Sequence, residues 1–357
     1  MGKSIKNLSS VTVVGLDIAK NVFQVHGVDG AGAVVMARPV RRGQLLNFFA
    51  SLPSCLVGIE ACGSAHHWAR ALIDLGHQVK LIPPAYVKPY VRRNKNDAVD
   101  AAAICEAVGR PNMRFVPVRS VENQAQLMRH RARELLVGNR TRMLNALRGN
   151  LAEIGVVAAQ GAQHAYALKR LVADGCDENG EVVIADCVRE ALAPLAHQIE
   201  TIDAEIAAID KEIETLVKAD ETALRLMTIP GVGPITASAI VATVQETSAF
   251  ANGREFAAFL GLTPRQNSTG GKERLGRITK MGDRYLRKLL VVGACATLIH
   301  RKGHHDALRV WASSLLARKT VKYKFKLTAV ALANKVARIV FVIMTRGGQY
   351  NELPAAA

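Results

Sequence analysis

The N-terminal third of the chain alternates between apolar runs of strand length and longer helix-forming segments. Residues 11–40 show the apolar–polar alternation of strands, with Asp29-Gly30-Ala31-Gly32 as the turn between the second and the third strand. Helices are predicted at 43–50, 65–75 and 97–108, together with one strand that ends at Glu60 and another at 77–82. The pattern predicts a three-strand meander followed by alternating helices and strands.

Beyond residue 120 the hydrophobic pattern becomes helical. The predicted helix at 121–154 has an apolar face made of Leu127, Leu135, Leu136, Met143, Leu144, Leu147 and Leu151. Further on, apolar residues at alternating spacings of three and four predict a coiled-coil arm: Leu192, Leu195, Ile199, Ile202, Ile206, Ile209, Ile213 and Leu216. This arm could pair with the 121–154 helix or with another protomer, and the spacing alone does not decide between them.

Lysine and arginine strongly outnumber the acidic residues in this chain. The formal net charge is +17 and the isoelectric point is about 9.9, which indicates a polyanionic partner, with nucleic acid first and an anionic membrane surface second. The charge-free apolar run at 339–344 is far too short to span a membrane, and no signal-peptide region follows the N-terminus. The six scattered cysteines are expected to be reduced and mostly buried. A cytoplasmic protein is therefore predicted.

Four acidic residues lie where their carboxylates could converge. Asp97 and Asp100 are three residues apart in a predicted helix and therefore share one face. Asp17 and Glu60 each end an apolar strand, where desolvating a carboxylate is costly and a bound cation can offset the cost. Four such carboxylates could hold two Mg²⁺ ions for phosphoryl transfer. Helix-surface acids and strand-end caps are the simpler alternative.

Arginine is dense in the helix predicted at 121–154, which contains Arg129, Arg131, Arg133, Arg140, Arg142 and Arg148. Glu134 is the only acid between the first and the last of them. An ordinary solvated helix face is one explanation. Because so few local acids can neutralise these side chains, contact with phosphate groups is the other.

A segment at 226–240 resembles a helix-hairpin-helix. Its Ile-Pro-Gly231-Val-Gly233-Pro centre permits a tight turn, and backbone N–H groups at the start of the second helix can receive a phosphate. The same glycines would also suit a purely structural turn between helices. In either case the segment would contact the nucleic-acid backbone and not the bases.

A polar loop rich in glycine is predicted after Pro264, and helical character returns near Asp283. Six cations lie in or beside this loop, opposed by Glu273 and Asp283: Arg265, Lys272, Arg274, Arg277, Lys280 and Arg284. Ser268 is its only serine, and a hydroxyl among guanidinium groups suits attack on a phosphodiester. No histidine lies nearby as a base, so a serine that bonds its own backbone is the commoner explanation. Thr269 is the second candidate nucleophile.

The C-terminal segment at 286–346 is predicted to be helical and basic. Between Arg301 and Arg346 eleven cations face one acid, Asp306, and Tyr323 and Phe325 alternate with lysines. Aromatic side chains among cations are typical of a surface that binds nucleic acid.

These motifs together resemble the DEDD transposases of insertion-sequence family 110, nearest to its 1111 branch, over residues 11–345. The resemblance rests on the order of Asp17, Glu60, Lys95-x-Asp97-x-x-Asp100, Ile-Pro-Gly-Val-Gly-Pro, and Asn-Ser268-Thr-Gly-Gly-Lys followed by Gly-Arg-Ile-Thr-Lys and Gly. It implies a RuvC-like domain of the ribonuclease H-like fold at 1–115, to which the predicted element order is suited. It also implies an arginine-rich helix with a coiled-coil region at 116–222, a mostly helical serine transposase domain at 223–346 and a tail at 347–357.

The resemblance also implies an activity. Asp17, Glu60, Asp97 and Asp100 would bind Mg²⁺, and Ser268 would form a transient phosphoserine link to DNA. A structured guide RNA from the element would pair with donor and target DNA, so sequence choice would lie with the RNA. We therefore expect a transposase of the bacterial cytoplasm, associated with the nucleoid, that acts as a dimer or, on DNA, a tetramer. The alternatives are a RuvC-like junction nuclease that uses water and a non-catalytic protein that binds nucleic acid.

Overall fold

In the computed structural model the described residues are 8–91, 97–159, 161–176, 181, 183–303, 306–318 and 320–350. Lys95 of the proposed motif and Lys319 of the basic C-terminal segment therefore lie outside the described residues. The chain divides after Gln124 into two units, Met1–Gln124 and Ala125–Ala357.

A five-stranded mixed sheet forms the centre of the first unit, in the order β3-β2-β1-β4-β5. Its strands are β1 (Val11–Asp17), β2 (Val22–Asp29), β3 (Val34–Arg41), β4 (Leu56–Glu60) and β5 (Gln78–Ile82). β1, β2 and β3 are antiparallel, whereas β4 is parallel to both β1 and β5. The predicted three-strand meander and the two later strands are confirmed.

Helices cover both faces of this sheet. They are α1 (Leu45–Ala50), α2 (Ala65–Asp74), α3 (Pro84–Val87) and α4 (Asp97–Val108). Phe49 and Leu72 of α1 and α2 pack with Leu16 in one core, and Ile104 of α4 packs with Ile82 in another. The short α3 was not predicted, because the Pro83-Pro84 pair indicates a chain break; proline is also well suited to the first turn of a helix, as it is here.

Two glycines let α4 approach the sheet closely. Gly15 of β1 and Gly58 of β4 are paired across the parallel ladder. A Cβ on Gly15 would lie 2.1 Å from the Ala101 carbonyl oxygen, and one on Gly58 would lie 2.7 Å from the Cβ of Val108. The absence of both side chains therefore allows the α4 backbone to rest directly on β1 and β4.

Two long helices of 33 residues, α5 (Val121–Glu153) and α7 (Asp186–Lys218), run antiparallel. Ion pairs fix this direction, because Arg129 pairs with Glu212, Arg133 with Asp210 and Arg140 with Asp203. The predicted arm thus pairs with the arginine-rich helix of its own chain. α6 (Ala162–Asp174) packs beside them, and all three helices contribute to one apolar cluster.

The premise that the arginines of α5 lack acidic partners was wrong for three of them. Glu134 is indeed the only acid between Arg129 and Arg148, but α7 supplies acidic partners from 63 to 83 residues away. The predicted apolar face also needs correction at Leu135, which is 61% exposed. Successive helical residues point about 100° apart, so Leu135 and Leu136 cannot both face the packed side.

The remaining helices of the second unit surround a separate apolar core. They are α8 (Glu221–Met227), α9 (Pro234–Thr243), α10 (Gly253–Phe259), α11 (Arg284–Ile299), α12 (Ala307–Arg318) and α13 (Lys324–Arg346). By length and composition α13 could cross a membrane, since its mean hydropathy reaches 1.8. Its side chains Leu332, Val336 and Val340 are instead fully or almost fully buried in this core, as in the central helix of a globular unit.

The segment predicted as an irregular polar loop forms a two-stranded antiparallel hairpin, β6 (Pro264–Gln266) and β7 (Leu275–Ile278). We call residues 264–279 the serine hairpin. Its strands are too short and too polar to give an alternating pattern, which is why they were not predicted. Gly270 and Gly271 turn the chain at its tip with positive φ.

The prediction that the cysteines are mostly buried was wrong. All six are free, but Cys55 and Cys105 alone are buried, whereas Cys62 and Cys187 are exposed. Cys62 lies in the loop after β4, and Cys187 lies in the first turn of α7, where neither is covered by a packed element.

Candidate active site

Three carboxylates meet where β1 ends beside the start of α4. Oxygen atoms of Asp17, Asp97 and Asp100 all lie within 4.8 Å of one another. Asp17 is the last residue of β1, and Asp97 and Asp100 lie in the first turn of α4. The positive end of the helix dipole favours acidic side chains at this position. Three of the four predicted acids therefore converge, and Gly15, two residues before Asp17, allows the close packing that brings them together.

Glu60 lies next to this group. Leu16 pairs with Ile59 in the parallel ladder, so the residues that follow them, Asp17 and Glu60, end adjacent strands. Among the described residues Glu60 does not belong to the set whose oxygens lie within 4.8 Å of one another. Its charge nevertheless acts on Asp17, as the pKa of that group indicates.

The four acids repel one another. Burial and the charges of Asp100, Asp97 and Glu60 raise the pKa of Asp17 to about 6, although a hydrogen bond from the Ile18 backbone opposes this rise. The fully ionised cluster is therefore unfavourable without a cation. Clustered carboxylate oxygens that are partly buried suit a hard divalent ion such as Mg²⁺, which prefers oxygen ligands. The donor set fits the predicted metal.

Ser268 lies near the tip of the serine hairpin, in the second unit, and is exposed. The Arg274 backbone N–H donates a hydrogen bond to its hydroxyl oxygen at 3.3 Å. The neighbouring cations Arg265, Lys272, Arg274 and Arg277 are also exposed, and none forms an ion pair with a carboxylate within the described part of the chain. A hydroxyl on a hairpin that carries exposed cations without carboxylate partners is suited to meet a phosphate.

The base of the serine hairpin is held firmly to the core. The Arg287 Nη1 donates to the carbonyl oxygens of Leu260 at 2.9 Å and Met281 at 3.0 Å, one on each side of the base. Gly261 and Gly282 both have positive φ, and a Cβ on either would collide with backbone carbonyl oxygens. Lys280 also has a positive φ of 56°, the one non-glycine residue with this backbone geometry in the described ranges.

The helix-hairpin-helix segment joins α8 to α9, and its two glycines differ in their surroundings. Gly231 has a φ of 88° and packs against Gly293 of α11, where a Cβ would lie 2.6 Å from the Gly293 oxygen. Gly233 directly precedes α9, is exposed and has open space around its Cα. Gly231 thus has a packing role, whereas Gly233 is free to face a phosphate; binding by either remains a prediction.

Arg131 and Arg142 of α5 differ from the three arginines that form ion pairs with α7. Arg131 and Arg142 are exposed and have neutral partners, the Leu127 carbonyl oxygen and the Asn139 side chain. They keep their full charge for a phosphate, in contrast to the arginines paired with α7.

Sequence reasoning missed three residues that shape these sites. Gly15 and Gly58 had a detectable signal, because glycine within an apolar strand often marks a close backbone approach. Arg287 gave none, since its role depends on carbonyl groups that come together only in the fold.

Comparison with known proteins agrees with the motif order. A DEDD transposase profile of the IS110 type matches residues 14–156, and a profile for transposases of the IS116/IS110/IS902 family matches 223–309. A "Probable family 20 transposase" of Pseudomonas aeruginosa is 46% identical over 334 residues, which cover 93% of this chain and 96% of the relative.

Two further relatives have named elements. The transposase for insertion sequence element IS1111A of Coxiella burnetii is 38% identical and aligns with 98% of this chain and 93% of its own length. The transposase for insertion sequence element IS1328 of Yersinia enterocolitica is also 38% identical, over 97% of this chain and all of its own length.

Proposed function

Because the chain belongs to the IS116/IS110/IS902 family of insertion-sequence transposases, we propose that it cuts and rejoins DNA with a divalent-metal site and a serine nucleophile. The observation that carries this proposal is the convergence of Asp17, Asp97 and Asp100, with oxygens within 4.8 Å, beside Glu60. A RuvC-like assignment of the first unit, and the division of the chain into 1–115, 116–222, 223–346 and a tail at 347–357, belong to the same proposal.

The four acids would hold Mg²⁺ at the end of β1. The chemistry that a bound Mg²⁺ supplies is neutralisation of phosphate charge and polarisation of a phosphoryl oxygen. The raised pKa of Asp17 supports this assignment, because burial and the neighbouring carboxylates raise it and a bound cation would offset both effects. The acids themselves would hold the ion from the ends of β1 and β4 and from the first turn of α4.

Ser268 would act as the nucleophile. Its Oγ would form a bond to phosphorus while the bond from phosphorus to a sugar oxygen breaks, and the hydroxyl proton would leave to solvent as the sugar oxygen takes one up. Attack by a sugar hydroxyl on the phosphoserine would then rejoin the strand and restore the serine. The exposed cations of the serine hairpin would stabilise the charge on the phosphate.

A guide RNA and further protomers complete the proposal. The exposed Arg131 and Arg142, the Gly233 turn and the hairpin cations would contact nucleic-acid backbone, which carries no sequence information by itself. Pairing with an element-encoded RNA would then select the DNA, as the sequence resemblance implies. Strand exchange needs several active sites, so a dimer, and a tetramer on DNA, would be required.

A nuclease that uses water is the second candidate. The surroundings of Ser268 favour it, because among the described residues no histidine or carboxylate hydrogen-bonds to the Ser268 hydroxyl, which accepts from the Arg274 backbone N–H. In that case the acids would suffice for cleavage and no protein–DNA bond would form.

Covalent trapping separates the two candidates. Purified protein, Mg²⁺, DNA of the element end and RNA from its flanks would be combined and resolved on a denaturing gel. We expect a protein–DNA adduct with the wild type and with Thr269→Ala, but not with Ser268→Ala, and no reaction with Asp97→Asn. Cleavage without an adduct in every active variant would reject the serine mechanism and support the nuclease.

A further inference from the structure

A groove between α5 and α6 is lined by none of the proposed catalytic residues. It encloses about 240 Å³, and its polar lining residues are Arg140, Thr141, Asn145, Arg148 and Tyr166. This volume is below the roughly 300–1,000 Å³ of pockets that enclose a whole small molecule. The groove therefore suits one unit of a longer ligand.

The lining is cationic. It contains two guanidinium groups and no carboxylate. Arg148 donates to two neutral acceptors, the Asn145 side chain at 3.3 Å and the Gly161 carbonyl oxygen at 3.1 Å. Its Nε is buried without a hydrogen-bond partner within the described part of the chain. Because the acceptors found for Arg148 within the described part of the chain are neutral, its positive charge is available to an anionic ligand.

The other residues of the groove are held in place from behind. Asp203 of α7 accepts a hydrogen bond from the Tyr166 hydroxyl at 2.8 Å and pairs with Arg140 at 3.0 Å. The Tyr166 ring and the Arg140 guanidinium thus have fixed positions in the wall before any ligand arrives. An aromatic ring beside cations is the combination that binds a base and its phosphate in single-stranded nucleic acid.

We infer that this groove binds one nucleotide of a single-stranded nucleic acid. The phosphate meets Arg148, the base lies against Tyr166, and Asn145 retains its amide N–H groups for the base or sugar. The inference rests on the proposed function only in taking nucleic acid as the partner. Because its lining contains none of the four acids and not Ser268, it binds whether or not strand cleavage occurs.

Equilibrium binding without metal tests the groove independently of catalysis. Fluorescent 20-residue oligouridine RNA and oligothymidine DNA would be titrated with full-length protein in EDTA at several salt concentrations. Arg148→Gln removes the unpaired cation, and Asn145→Asp adds a negative charge while keeping every arginine. Matched controls are Arg170→Gln on α6 and Asn150→Asp on α5, both exposed and outside the groove.

We expect each groove variant to bind about tenfold more weakly than its matched control, as for a lost charged hydrogen bond. Arg148→Gln should also lower the salt slope by about one phosphate contact. Loss for RNA alone indicates that the groove contacts the ribose hydroxyl, and equal loss for DNA indicates phosphate and base. Groove variants that bind like their controls overturn the inference, as does a loss confined to Arg148→Gln with a lowered melting temperature. A failed trapping experiment with Ser268 would leave these results unaffected.

Discussion

The close packing of α4 on β1 can be tested by a single methyl group at Gly15. In Gly15→Ala the new Cβ would lie 2.1 Å from the Ala101 carbonyl oxygen and 2.4 Å from the Cys105 backbone nitrogen. Both are backbone atoms of a helix, so no side-chain rotation can relieve the clash. The helix must move away from the strand that ends at Asp17.

The size of the movement follows from these distances. Ordinary van der Waals contact begins at 3.4 Å, so α4 must retreat by more than 1 Å. Overpacking of this kind costs roughly 1–3 kcal/mol, which outweighs the gain of about 0.4–1 kcal/mol from restricting the unfolded chain. Because Asp97 and Asp100 belong to α4, their oxygens should separate from Asp17, and metal affinity should fall about 10- to 100-fold.

Two measurements check this prediction. Unfolding by urea gives the stability, and titration with Mn²⁺, which shares the oxygen ligands of Mg²⁺, gives the metal affinity. Gly43→Ala is the matched control, because a Cβ there meets nothing within 4 Å. Gly58→Ala should be intermediate, since its Cβ would lie 2.7 Å from the Cβ of Val108, a smaller overlap than the 2.1 Å approach at Gly15.

A Gly15→Ala protein with the stability and Mn²⁺ affinity of Gly43→Ala would refute this reasoning. It would mean that α4 does not rest on β1 as described or that the acids do not bind metal. Reduced stability with unchanged Mn²⁺ affinity would distinguish the two explanations. It would support the packing of α4 on β1 and reject the metal site.

Three further predictions concern the second unit. Burial lowers the pKa of His130 to about 4, whereas the unfolded chain has a His pKa of about 6.5. The unfolded state therefore binds a proton first, and the free energy of unfolding should fall by up to about 3 kcal/mol as the pH drops from 6.5 to 4. Urea titrations of His130→Gln should show a smaller fall. Arg287→Ala should loosen the serine hairpin and reduce the yield of trapped DNA adduct at least tenfold, while DNA affinity stays unchanged. Arg254→Ala, at an exposed arginine, should leave the adduct yield unchanged. Equal adduct yields from the two variants would contradict the role of Arg287. Asp210→Ala leaves a half-buried arginine unpaired and should lower the unfolding free energy by roughly 1–3 kcal/mol, whereas Glu214→Ala should change it little.

Secondary-structure elements could be predicted best where the hydrophobic pattern of the sequence matches the burial of its residues in the fold. The strands that contain Val14, Leu16 and Ile59 have continuous apolar runs because both faces of the sheet are covered, so their positions were predictable. Asp17 and Glu60 could be named because each ends such a strand, and Asp97 and Asp100 because a spacing of three places them on one helix face. The meeting of Asp17 with the two helix acids depends on the packing of α4 against β1, which no local pattern specifies.

What the sequence did not supply depends on contacts between distant residues. The acids that pair with Arg133 and Arg140 lie on α7, and local charge counting cannot include them. The serine hairpin was missed because its strands have no buried face, and its order comes from Gly261 and Arg287 at its base. Neither ion pairs between distant residues nor side-chain hydrogen bonds to backbone carbonyl oxygens leave a periodic signal in a sequence.

The antiparallel pairing of α5 with α7 has a consequence during synthesis. The three ion pairs join residues 63, 77 and 83 positions apart, so each arginine leaves the ribosome well before its acid. At about 5–20 residues per second the delay is several seconds. During that interval the arginines of α5 are not yet neutralised, so the helix carries its full positive charge until α7 has been made. Slower translation between α5 and α7 would lengthen this interval.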